Sequence, residues 1–263
     1  MKNIPIGIAS SVSATNGFDL LDTIQFARQE NFDYIQLYLN ANTLQQKDTL
    51  QEVLNQQSQF TEIYYHAEGF LNNDFFESEY YKKMYSFLSN TISPNYIIHF
   101  DERMQPDQIE EIKEKIKNSF IKVYVENYFI ENGKESSENN LKKYMDLFAS
   151  SENIKEFLRP AIDIPRLFHK QTGFAPGESL ILTYRLLNYF RELEIPLLLH
   201  MIDSTQSDMA RHNFCPIGTG CMPYGYMLQF IANTQLTIES IILEFEDKVS
   251  PIESRDFIDI FFS

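Results

Sequence analysis

The chain has 263 residues, 43% of them hydrophobic, and a formal net charge of −15. That length suits one large α/β domain with a sizeable core, and the composition excludes a disordered chain. No apolar run reaches the roughly 18 residues a membrane helix needs, and the acidity argues against a broad basic surface for nucleic acid while suiting cations.

The N-terminal MKNIPIGIASSVSATNG has one Lys and a short apolar patch, so it reads as a first strand and not as a leader. Short apolar runs then alternate with helical patterns. IPIGIA (4–9) predicts a strand, and DLLDTIQFARQEN (19–31), with apolar residues at 20, 21, 24 and 27, predicts a helix. YIQLYL (34–39) is followed by a helix over about 43–57, and TEIYYH (61–66) by a helix over 79–90. NYIIHF (95–100) precedes a helix over 107–119 with dense Glu/Lys pairing, and FIKVYVEN (120–127) precedes one over 141–150. LRPAIDI (158–164), a helix over 179–193, IPLLLHMID (195–203), a helix over 224–233, SIILEFE (240–246) and a short terminal helix complete the chain.

Eight strand–helix units with no linker between them predict a single-domain (β/α)8 TIM barrel over 1–263. The strands are apolar enough to be buried on both faces of a parallel sheet. A doubly wound open sheet is the rival, disfavoured because no GxGxxG follows the first strand.

In such a barrel the chemistry sits at the C-terminal ends of the strands. Strands three to eight end in His66, His99, Glu126, Asp163, His200 and Glu244. One His in an apolar run is ordinarily a satisfied polar residue, and one Glu after a strand is ordinarily a solvated group. Six such side chains in succession, each behind an apolar run, are costly to bury unless paired or bound to a metal. The mixture of imidazole and carboxylate suits Mn²⁺, Zn²⁺, Fe²⁺ or Co²⁺ and does not choose among them.

Cys215 and Cys221 share the loop after strand seven and make no disulfide framework, so the expected compartment is a reducing cytoplasm. The same loop carries Arg211 and His212. Gly218 and Gly220 read as turn residues with positive φ, and as residues admitting a close anion only secondarily. Arg166 and Arg211 read equally as anchors for a substrate carboxylate or phosphate and as salt-bridge partners of nearby acids. His169 reads as a surface residue.

Taken in order, Glu126, Asp163, His200 and Glu244 resemble the xylose isomerase-like barrels, the sugar phosphate isomerase/epimerase superfamily that also includes endonuclease IV, an AP endonuclease of family 2. HAEGFLN (66–72) resembles the turn after that family's third strand, with Glu68 where Pro is usual, and IIHFDE, VEN, AID, LLLHMID and ILEFE resemble the segments that follow. The resemblance covers nearly the whole chain. It implies a divalent metal on Glu126, Asp163, His200 and Glu244, with Glu126 and Glu244 as the acid and base of a proton transfer. His66 and His99 would bind substrate or a second metal, and Arg166, Arg211 and His212 would bind substrate. The implied function is isomerisation or epimerisation of a sugar, sugar phosphate or hydroxy-keto acid through an enediolate.

The nuclease resemblance is incomplete. Ala210 stands where an acid is expected before Arg211 and His212, and Arg166 stands where the Asp-x-x-His pattern has its His. Hydrolysis of abasic DNA is therefore the alternative, as is an oxidative or non-catalytic metal-binding barrel. Gln36, where Glu is common on strand two, suits the non-catalytic reading. The expected partner is a small molecule, with no membrane; self-association stays open.

Overall fold

A computed structural model describes residues 4–149, 154–206 and 209–262. Eight strands, β1 (Ile6–Ala9), β2 (Tyr34–Leu39), β3 (Glu62–Leu71), β4 (Asn95–Phe100), β5 (Lys122–Glu126), β6 (Leu158–Asp163), β7 (Leu197–Met201) and β8 (Ile238–Leu243), pair in parallel and in sequence order. β8 closes onto β1, so the sheet is a barrel with helices outside it, as the strand–helix alternation predicted. No helix among the described residues is long and apolar enough to cross a membrane.

The period-two alternation of a strand decides where the chemistry goes. Ala9, Tyr64, Ile97, Tyr124, Ala161, Leu198 and Ile242 point inward and pack into one buried layer, with Tyr34 against it. Two residues further along each strand, the next inward layer toward the C-terminal end is Ser11, Gln36, His66, His99, Glu126, Asp163, His200 and Glu244. Outward residues such as Ile35, Leu37, Val123, Val125, Leu197 and Leu199 join the larger core under the helices. Below the apolar layer, the Tyr124 hydroxyl donates to Glu239, which also takes Arg159 Nε at 3.2 Å. That end is closed by its own polar pairs, which leaves the C-terminal end as the open one.

Some predicted boundaries move, each for a local reason. β3 runs on to Leu71 because its register against β4 shifts between His66 and Phe70, with Gly69 at φ 103°. Such a bulge re-aims side chains, and here it sets Phe70 opposite His99. The predicted sixth strand gives up Ile164 to a short helix, Ile164–Phe168, capped by Asp163. Glu244 falls one residue past β8. The helix expected over 43–57 is a 3-10 turn, Thr43–Gln45, followed by a helix over Lys47–Gln56. The helix expected from 141 begins at Lys134, and its predicted last residue, 150, lies outside the described residues.

The long loop after β7 opens with a two-stranded ribbon, Asp203–Ser204 against Phe214–Cys215. Asp203 is buried, and four backbone amides converge on its carboxylate. Ser204 and Met222 donate to Oδ1 at 2.8 and 3.1 Å; Gly218 and Gly220 donate to Oδ2 at 3.0 and 3.1 Å. A Cβ on Gly220 would lie 2.2 Å from Asp203 Oδ1, so glycine is required for the close approach. Gly218 does turn with positive φ, at 88°, whereas Gly220 does not and is glycine for the close approach alone. The anion these glycines approach is the chain's own Asp203.

Candidate active site

Glu126 is the hub. It ends β5, is 1% exposed, and is met from four sides. His66 Nε2 lies 3.0 Å from Oε2, Arg166 Nε 3.0 Å from Oε1, His200 Nδ1 3.3 Å from Oε2 and His99 Nε2 3.6 Å from Oε1. Burial alone would raise its pKa, but the imidazoles of His99, His200 and His66 close around it outweigh burial and hold the carboxyl well below its usual range. Burial drives His99 down to about 3. His200 is buried as well, yet Glu244 and Glu126 outweigh that and raise it to about 9.

Glu244 lies on the other side of His200, with Oε1 3.3 Å from Nδ1, and accepts a hydrogen bond from Gln36 Nε2 at 3.0 Å. Unlike Glu126 it faces the opening, with 27% of its side chain exposed. Arg166, carried by the short helix after β6, places Nε 2.6 Å from Asp163 Oδ2 and lays its guanidinium 4.2 Å from the centre of the Tyr128 ring. Tyr128 also packs on His99, with ring centres 4.5 Å apart. Above these groups lies a cavity of about 390 Å³ lined by His66, Asp163, Arg166, Gln171, Arg211 and Glu244, among others.

The structure thus gathers His66, His99, Glu126, Asp163, Arg166, His200 and Glu244 into one nest. Arg211 stays at the cavity rim, paired with Glu246 at 2.8 Å. His212 is exposed and does not line the cavity, because the 3-10 turn Arg211–Asn213 turns it outward. His169, read as a surface residue, is half-buried at the cavity wall. Tyr128 and Phe70 are the site residues the sequence did not disclose. Tyr128 stands two positions after Glu126, the only local signal it offered.

Two observations bear on a metal. His66 places Nδ1 2.9 Å from the Ala67 carbonyl oxygen and Nε2 3.0 Å from Glu126 Oε2, so its ring is held edge-on to the carboxylate at the floor of the cavity. His200 is fully buried and within 3.3 Å of two carboxylates, yet neither ring nitrogen is aligned for a hydrogen bond. A buried imidazole in that condition is costly as it stands and suits a ligand role. His66, His99 and Glu126 each also offer one donor atom within 4.8 Å of the others, the only such trio among the described residues. That trio could hold a divalent ion; no three of Glu126, Asp163, His200 and Glu244 bring their donor atoms as close together.

No protein-family model matches the chain, and no curated protein does. Solved structures do. A probable 3-DHS dehydratase from Bacillus anthracis, AsbF, involved in petrobactin synthesis, aligns over 99% of both chains at TM-score 0.60 and 12% identity. The IOLI protein, solved with a zinc atom, aligns over 98% of this chain and 96% of its own at TM-score 0.62 and 13% identity. An L-ribulose 3-epimerase covers 98% and 94% at TM-score 0.56 and 14% identity. The fold is that of the xylose isomerase-like barrels. The nest around Glu126 lies at the C-terminal ends of the barrel strands.

Proposed function

We propose that the protein is a cytoplasmic, divalent-metal-dependent isomerase or epimerase acting on a sugar, sugar phosphate or hydroxy-keto acid. The observation that carries the reading is His200, buried between Glu126 and Glu244 with no aligned partner for either nitrogen. Glu126, Asp163, His200 and Glu244 would hold the ion, which would supply Lewis acidity toward adjacent substrate oxygens. Glu244, at the cavity wall, takes the proton next to the substrate carbonyl, and Gln36 fixes the orientation of its carboxylate. Glu126 has no surface of its own in the cavity; His66, which lines the wall and touches Oε2, stands between it and the substrate and fixes its orientation. Arg166 and Arg211 offer guanidinium donors to an anionic group on the substrate. The test is solvent deuterium exchange into candidate ketoses and hydroxy-keto acids by the Mn²⁺-loaded protein. Exchange at the carbon beside the carbonyl is expected; a metal-loaded protein that labels none of them overturns the proton-transfer reading.

One observation favours a second reading. The trio His66, His99 and Glu126 adds a further metal position that shares Glu126, and proton transfer needs only one ion, whereas phosphodiester hydrolysis commonly uses two. The net charge of −15 and the occupation of Asp163 by Arg166 weigh against DNA. Cleavage of an abasic duplex in zinc buffer decides between the two.

A further inference from the structure

Arg166 is bonded where a metal would be. Both oxygens of Asp163 are engaged by this one residue: Oδ1 accepts from its backbone N–H at 3.3 Å and Oδ2 lies 2.6 Å from its Nε. The same Nε lies 3.0 Å from Glu126 Oε1. The guanidinium therefore holds two of the four carboxylate and imidazole side chains expected to hold an ion, and it is braced on Tyr128. A guanidinium and a divalent cation do not share the same lone pairs, and at such distances they repel.

We propose that Arg166 is a resident cation that competes with the divalent ion for Asp163 and Glu126, so that the ion is held exchangeably. The inference rests on the metal reading above. In the absence of metal, Arg166 keeps two buried carboxylates paired, which spares the chain unpaired buried charges. Metal entry requires Nε to leave Asp163 Oδ2. The space for that movement exists, because a third of the Arg166 side chain is exposed and it borders the cavity. Its two terminal nitrogens make no hydrogen bond among the described residues, so one atom, Nε, holds the latch shut.

The experiment is calorimetric titration of the metal-stripped full chain with Mn²⁺, for wild type, Arg166→Gln, Arg166→Lys and Tyr128→Leu. Removing the competing charge in Arg166→Gln is expected to tighten Mn²⁺ binding at least tenfold. Arg166→Lys keeps the charge without the planar fork and falls between the two. Tyr128→Leu removes the brace, leaves every ligand in place, and tightens binding severalfold. An Arg166→Gln affinity equal to or weaker than wild type overturns the proposal while leaving the metal site standing; should Arg166→Gln fail to fold, the same outcome in the Lys and Tyr128 variants overturns it. Binding by Arg166→Gln alone supports it. If neither wild type nor Arg166→Gln binds Mn²⁺, the metal reading falls and this proposal with it.

Discussion

Glu126 and Asp203 are both acidic, both at most 1% exposed, and both at the C-terminal end of the barrel. Their surroundings differ in kind. Asp203 is satisfied by four backbone amides, which have one protonation state and cannot leave. Glu126 is hydrogen-bonded to His66 and Arg166 and has His99 and His200 within 3.6 Å, side chains that can release it, exchange a proton or take a different partner. A buried carboxylate in an amide cage is scaffold; one ringed by titratable side chains is equipment for chemistry. Burial alone does not tell the two apart, but the identity of the donors does.

The largest expected effect breaks the comparison at Glu126. Glu126→Gln keeps the shape and removes the charge that His66, His200 and Arg166 share, so turnover in the deuterium-exchange assay should fall by at least about 10³-fold, roughly 4 kcal/mol of barrier. A variant with wild-type exchange would remove Glu126 from the mechanism. Asp203→Ala should do the reverse. It strands the buried amides of Ser204 and Met222 at about 1–3 kcal/mol each, only partly additive, and frees the more exposed amides of Gly218 and Gly220 to water, so a loss of about 2–4 kcal/mol in urea unfolding is expected. The Mn²⁺ affinity of the folded fraction should stay within about threefold of wild type.

Metal addition sharpens the contrast. Mn²⁺ at 100 times its dissociation constant should stabilise wild type and Asp203→Ala alike by about 2.7 kcal/mol, and Glu126→Gln by much less. Equal stabilisation of all three would place the ion away from Glu126.

The smallest effect is an ordinary surface pair. Lys248 Nζ meets Asp22 at 2.8 Å, with the two side chains 39% and 25% exposed. The hydrogen bond from Lys248 outweighs partial burial and holds Asp22 below its usual 3.8. A depressed carboxylate contributes stability above the unfolded value and loses it as pH falls. Lys248→Met should therefore cost under about 1 kcal/mol at neutral pH, a difference that shrinks as the pH drops below 3.8.

The sequence by itself determined the barrel and most of the nest. Apolar β-branched runs alternating with amphipathic stretches are a local pattern, and each strand's period of two carries a residue such as His200 inward once Leu198 points inward. What only the tertiary structure decided is which partner each side chain takes. Arg166 reads in sequence as a substrate anchor or a salt bridge, and the fold makes it the partner of Asp163 and Glu126 at once. His212 reads as a site residue, and one turn of 3-10 helix sends it outward. Gly218 and Gly220 read as turn glycines, and the fold wraps them around Asp203. Periodicity is set by neighbours along the chain, whereas partner choice depends on residues brought together from other strands, the 40 positions between Glu126 and Arg166 among them.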